Sequence, residues 1–367
     1  MEGSRMRTVR TGVVGAGFMG RLHGRLLAEL PNAEVAGVVD ARAEVAAQVA
    51  EEMGTRAYPS VESLLNGISN LDAVIVATPE PEHRPAVEAA AARGCAVFVE
   101  KPIASNLGDA DAMIEACERA AVPLMVGHIL RHESAYVAMR QAVEETRLGR
   151  LMTAYARRNA TIQEGHRLGG RTSVVQYLAV HDADLLLWYH NSPVESVAAR
   201  AVSGRIAESF GTPDFVWLWL HFADGALGII ECGWALPEGW GGWAERTAWQ
   251  PFGDCRMELI GTDDVLSLDL RTMNVAGVDR SGWRFPDTRH WPVVNGRIGG
   301  AARLQMEHFL ECVTTNKSPL CDGQAGRAAL AVCLAVEASL ANDGAEVPLS
   351  VIERRKEYER SEGGQGT

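Results

Sequence analysis

Over the first 127 residues the chain alternates between two kinds of hydrophobic pattern. Short, nearly unbroken apolar runs occupy residues 9–15, 34–39, 73–77, 96–99 and 124–126, each bounded by turn residues. Between them, residues 19–30, 44–53, 84–93 and 109–120 space their apolar positions as a helix does, the first of these stopping before Pro31. An unbroken apolar run suits a strand buried on both faces, and the helical spacing suits the element that covers it. The alternation predicts a doubly wound parallel sheet, an α/β domain over residues 1–127.

After Gly127 the rhythm changes. Residues 151–157, 194–202, 215–222, 226–234 and 256–260 read as strands, with one strong helix at 175–189 among them. Strands in succession predict a large, mostly antiparallel open sheet in an α+β domain over residues 128–350. Asp224-Gly225 joins two of them as a hairpin, in which Trp217, Trp219 and His221 alternate with Val216, Leu218 and Leu220. Both faces of that hairpin are largely apolar, so one covers helices and the other is expected to meet another subunit. Residues 237–253, rich in Trp and Gly, read as an irregular loop near the substrate mouth. Residues 305–313 and 325–340 are helical again. Residues 351–367 form a terminal segment whose polar end is expected to be disordered.

Composition narrows the class. The 367 residues are 47% hydrophobic and 22% charged, the balance of a globular chain, and a length suited to two domains. A net charge of −12 excludes a broad nucleic-acid or anionic-membrane surface, though not a local basic pocket. No leader-like apolar stretch opens the chain, and no apolar run is long enough to span a membrane. Seven scattered cysteines without a Cys-x-x-Cys pair predict reduced core thiols, no metal site and a cytoplasmic location.

The chemistry begins at Gly15-Ala16-Gly17-Phe18-Met19-Gly20, a G-x-G-x-x-G that follows a strand and opens a helix. That context is the dinucleotide-binding fingerprint of a Rossmann domain: Gly15 for the tight turn, Gly17 for backbone approach to a pyrophosphate, Gly20 for helix–strand packing. The helix N-terminus then attracts the phosphates. Asp40, twenty residues after Gly20 at the end of the second strand, suits the adenosine ribose hydroxyls and favours NAD. Arg42 nearby leaves NADP open. Thr78 and Pro79, just past a strand end, are expected to wall the crevice near the nicotinamide. His83 reads either as a further crevice residue or as a first-turn helix residue. Glu100-Lys101-Pro102 reaches the same edge, where a lysine can hydrogen-bond a substrate hydroxyl and steady a developing alkoxide.

With these pieces in place the chain resembles the glucose–fructose oxidoreductase / inositol dehydrogenase / MocA family. The matching motifs are the glycine turn with His23, Ala77-Thr78-Pro79 with His83, Glu100-Lys101-Pro102, and Val126-Gly127-His128 with Arg131. Gly169-Gly170 before His181-Asp182-Ala183-Asp184 and Trp188, and Pro319 with Gly323 before the last helix, extend the likeness over nearly the whole chain. The resemblance implies an NAD-dependent dehydrogenase or reductase acting on a secondary alcohol or ketone of a sugar, anhydrosugar or cyclitol. It implies homodimers or homotetramers formed through the open face of the second sheet. It also implies Lys101 as the motif lysine and His181 as the acid/base.

Many relatives carry an aspartate one helical turn before that histidine, where this chain has Tyr177. A phenol is not an anion at neutral pH. It either donates to the substrate and shares in catalysis with Lys101, or packs against the ligand. Arg158, Asn159 and Trp234 are further expected substrate contacts, Trp234 as a flat face for a sugar ring. Two other readings share the fingerprint: an NAD-using glycosidase or lyase with a transient keto intermediate, and a non-catalytic dinucleotide-binding regulator.

Overall fold

The apolar runs of the N-terminal part are the strands of one six-stranded, all-parallel sheet. In the computed structural model these are β1 (Val9–Val14), β2 (Ala33–Val39), β3 (Ala57–Tyr58), β4 (Ala73–Val76), β5 (Ala96–Val99) and β6 (Leu124–Val126). Their order is β3-β2-β1-β4-β5-β6. Residues 7–238, 254–270, 277–279, 282–284 and 287–353 are described. Every residue of β4, β5 and β6 is buried, and successive side chains point to opposite faces, so both faces are covered. The cover comes from α1 (Phe18–Glu29), α2 (Ala43–Glu52), α3 (Val61–Gly67), α4 (His83–Ala92) and α5 (Leu107–Ala120). Winding reverses between β1 and β4, which places a ligand crevice beyond their C-terminal ends.

The chain forms two compact units. The first takes residues up to His132 together with Arg289–Arg327; the second runs from Glu133 to Thr288 and resumes at Ala328. In the second unit, α6 (Ser134–Glu144) leads to β7 (Leu151–Thr161) and α7 (Ile162–Leu168). A π-helical stretch, Val175–Ala179, runs into α8 (Val180–Tyr189), so the helix expected from 175 onward starts on a wider turn. Then come β8 (Val194–Val202), α9 (Arg205–Phe210), β9 (Phe215–Phe222), β10 (Leu227–Leu236), β11 (Asp254–Gly261) and β12 (Val265–Asp269). With Val347–Pro348 at one edge they make a seven-stranded sheet in which β7 and β10 pair parallel and every other pair is antiparallel.

The β9–β10 hairpin turns at Gly225, whose φ of +85° suits glycine. Val216, Leu218 and Leu220 are fully buried, while Trp217 and Trp219 on the other face are half-buried. All seven cysteines are buried and unpaired with one another. Most of the expected loop, residues 239–253, and the terminal residues 354–367 lie outside the described residues.

Arg289–Arg327 joins the first unit although the sequence reading assigns it to the second domain. This segment carries a small hairpin, Val293–Val294 with Arg297–Ile298, and the helix Gly300–Thr315.

Candidate functional site

The glycine turn is shaped by sterics. Gly15 has φ +87°, and a Cβ there would stand 2.6 Å from the Ala77 carbonyl. A Cβ on Gly20 would lie 1.8 Å from the Gly15 carbonyl oxygen, so only glycine lets α1 press onto the turn. Gly17 differs: among the described residues, a Cβ there would meet nothing within 4 Å beyond its chain neighbours. No side chain caps α1 at this end, so the first N–H groups of the helix, from Phe18, Met19 and Gly20, lie uncapped beside that opening. A helix N-terminus with room for close approach fits a diphosphate.

Asp40 follows β2 and is fixed from two sides. Its Oδ2 accepts the Ala16 N–H at 2.8 Å and its Oδ1 accepts the Arg42 N–H at 2.9 Å. A carboxylate so held keeps lone pairs for ribose hydroxyls and repels a 2′-phosphate. The Arg42 guanidinium, largely exposed, lies 3.6 Å from the same carboxylate and pairs with it. These residues fit NAD: the helix N-terminus beside Gly17 suits its diphosphate and Asp40 its adenosine ribose.

Beyond β4, the buried Thr78 Oγ1 has no hydrogen-bond partner among the described residues, an orphaned hydroxyl suited to a ligand wall. Pro79 follows it and precedes a short helical turn, Glu80–Glu82. His83 is almost fully buried and faces two carbonyls, Nε2 to Thr78 and Nδ1 to Ile103, each at 2.9 Å. Both ring nitrogens are engaged by the protein. Of its two readings the structure therefore favours the first-turn helix residue, which ties the β4 end to the segment after Lys101.

Glu100 plays a similar supporting part. Its Oε1 lies 2.7 Å from His23 Nε2, and its Oε2 accepts the Lys101 N–H at 3.1 Å. Burial acts to raise this carboxyl's pKa, but the His23 hydrogen bond and the charges of His23 and Lys101 prevail and hold it below the usual range. Gly127 makes room for it, since a Cβ there would stand 3.1 Å from the carboxylate. Glu100 thus anchors the backbone from which half-buried Lys101 projects. Nothing local in the sequence ties His23 to Glu100, 77 residues away.

In the second unit, strand alternation sends Arg158 to one face of β7 and Arg157 and Asn159 to the other. Arg158 is buried in a bidentate pair with Asp182 at 2.8 Å through both Nε and Nη2, and Nη2 also donates to the Tyr136 hydroxyl at 3.1 Å. Burial disfavours the guanidinium charge, yet Asp182 more than restores it and lifts its pKa well above the ordinary value. Arg158 is committed to the core, which corrects its expected role as a substrate contact. Trp234 is corrected likewise: it is fully buried and its Nε1 donates to the Pro213 carbonyl at 2.9 Å, so no ring face is open to a sugar.

Asn159 donates to Glu231 at 2.8 Å, while its buried Oδ1 has no partner among the described residues. The Tyr177 hydroxyl accepts from Arg167 at 2.9 Å and faces Glu164 Oε2 at 3.3 Å, beneath the Arg167 guanidinium. Burial and Glu164 push this phenol far up, so it stays protonated. Glu164, a buried carboxylate beside Tyr177, was missed in the sequence because it lies thirteen residues earlier, on another helix. His181 is the second residue of α8 and half-buried.

Residues 9–128 match the family model described as the GFO/IDH/MocA oxidoreductase family, NAD-binding Rossmann fold, and residues 136–267 match the GFO/IDH/MocA C-terminal domain. The chain is 30% identical to the UDP-N-acetylglucosamine 3-dehydrogenase of Acidithiobacillus ferrooxidans, over 90% of this chain and 98% of that protein. It is 27% identical to the scyllo-inositol 2-dehydrogenase (NAD(+)) of Bacillus subtilis, over 85% and 88%. Among solved structures, a probable dehydrogenase from Thermotoga maritima superposes with a TM-score of 0.77 at 25% identity, covering 93% of this chain and 99% of that one.

Proposed function

The chain belongs to the GFO/IDH/MocA oxidoreductase family, and from that premise we propose that it is an NAD-dependent dehydrogenase of a sugar, anhydrosugar or cyclitol. The hydride would move between the nicotinamide and a secondary alcohol or ketone carbon. One observation carries the reading: Asp40 is locked by the Ala16 amide beside an uncapped glycine turn, in the same unit where Glu100 anchors Lys101. The relatives described above act on a nucleotide sugar and on an inositol, which supports a polyhydroxylated ring as substrate.

Bound NAD supplies the hydride acceptor. Lys101 Nζ hydrogen-bonds the reacting oxygen and offsets its developing negative charge. His181 takes the hydroxyl proton, a task suited to an imidazole because that group titrates near neutrality. Tyr177, on the π-helical turn before α8, stays neutral, its hydroxyl held by Glu164 and Arg167. Asn159 shares the outer face of β7 with Arg157 and donates to Glu231, which corrects its expected role as a substrate contact. Lys101→Ala and His181→Ala should each lower kcat on the order of 100-fold or more, with the Kd for NAD changed less than about threefold. Wild-type turnover in either variant, with NAD binding intact, would remove that residue from the mechanism.

We also read the half-buried Trp217–Trp219 face of the second sheet as the contact of a homodimer or homotetramer. A cytoplasmic location fits seven buried thiols that form no disulfide.

A further inference from the structure

The segment that returns to the first unit carries an aromatic side chain to which the reaction outlined above gives no role. Trp291 meets Phe18 edge to face, ring centroids 5.7 Å apart, and leans on His290 at 5.6 Å. Phe18 is the first residue of α1, directly after Gly17, and remains 40% exposed. A single exposed phenylalanine would mean little. Here, however, its neighbour is held in place by a pinned strap of backbone.

The strap is tied to the C-terminal end of α1 and closed on itself. At the far end, the Ile298 N–H donates to Glu29 Oε2 at 2.8 Å, and the Arg303 guanidinium lies 3.8 Å from the same carboxylate. Within the strap, the carbonyls of Arg289 and His290 accept the Ala301 and Ala302 N–H groups, each at 2.8 Å, and so cap the helix Gly300–Thr315. The Gly299 N–H closes the loop on the Pro292 carbonyl at 2.8 Å. Gly300 makes that closure possible: its φ is +68°, and a Cβ would stand 2.3 Å from the Arg289 oxygen. Five ties between Arg289 and Arg303, two to Glu29 and three within the strap, are more than a surface loop needs, and they hold one indole against the first residue of α1.

That position matters because of what lies beside it. Among the described residues no side chain caps the α1 amides, and a Cβ on Gly17 would meet nothing within 4 Å beyond its chain neighbours. Hydrogen bonds from amides to an anion strengthen as water is excluded from around them. We infer that Trp291, braced by Phe18, is the wall that shields the diphosphate of the bound dinucleotide from solvent. The inference rests on the NAD reading and goes beyond it, since the glycine fingerprint contains no residue from this part of the chain.

Calorimetric titration of the wild-type protein, Trp291→Ala and Trp291→Phe with NAD, ADP-ribose and AMP tests it. AMP shares the adenosine half but lacks the diphosphate bridge. Trp291→Ala should weaken NAD and ADP-ribose alike, by about tenfold, and leave AMP within about twofold. Trp291→Phe, which keeps a ring at the wall, should stay within about threefold of wild type for all three. Unchanged NAD affinity in Trp291→Ala would overturn the inference. Equal weakening or loss of AMP would also overturn it, by showing that the indole only supports the fold. Weakening of NAD without ADP-ribose would move the contact to the nicotinamide and away from the diphosphate. A wild-type protein that binds no NAD contradicts the functional reading itself, a different failure from any of these.

Discussion

Arg157 and Arg158 are neighbours in sequence and opposites in setting. Arg157 faces outward to Glu231 at 2.8 Å, while Arg158 is sealed in with Asp182. Removing one partner of a buried ion pair leaves the other uncompensated, so Arg158→Ala should cost about 3–5 kcal/mol in urea unfolding. Arg158→Met combined with Asp182→Leu should recover most of that loss. A fall in substrate affinity with full stability would restore Arg158 to the substrate site. Glu100 yields a pH prediction. Unfolded, its carboxyl titrates near 4.5, and folded it titrates lower. The stability it contributes is therefore complete above about pH 4.5 and is lost as the pH falls through the folded value. Glu100→Gln should lower Tm at neutral pH and flatten its further fall on acidification; an unchanged acid slope would contradict the assignment. The glycine turn and the strand ends that carry Asp40 and Lys101 were legible because their motifs are local. The fates of Arg158 and Trp234 were not, since strand alternation names a face without saying whether that face is core or crevice.

At the scale of elements, the β1–α1 turn separates folding from binding. Gly20→Ala drives a methyl into the Gly15 carbonyl, so it should unfold or strongly destabilise the first unit. Gly17→Ala meets nothing among the described residues beyond its chain neighbours and should keep Tm within a few degrees, while weakening NAD on the order of tenfold or more by occupying the approach of the diphosphate. Thermal melts paired with NAD titration read both; equal Tm losses would show that Gly17 is structural too. Long periodic elements were visible in the sequence, β4 and β5 almost to the residue. The two-residue β3 and the seven-residue α3 were not, being shorter than any period can mark. The π-helical turn before α8 leaves no pattern either, because a widened turn changes hydrogen bonding and not residue type.

For the whole molecule, the parallel and mostly antiparallel sheets were foreseen from rhythm alone, and the return of Arg289–Arg327 to the first unit was not. Contacts made across more than 150 residues have no local signature. The outer face of the second sheet gives one prediction at this scale. On the proposed contact, the wild-type protein should scatter light as a dimer or tetramer and Trp219→Glu as a monomer, since a charge facing its own copy opposes association; a monomeric wild type, or a variant with unchanged mass, would contradict that contact. The central claim is net hydride transfer to NAD, and the most direct measurement follows NADH absorbance while sugars, anhydrosugars and cyclitols are offered in turn. The account predicts that one class yields NADH in step with oxidised product, and that His181→Ala abolishes the signal. Product formed without NADH would instead make the cofactor a transient carrier, and NAD binding without turnover of any compound would make the protein a dinucleotide-binding regulator; either result contradicts the account.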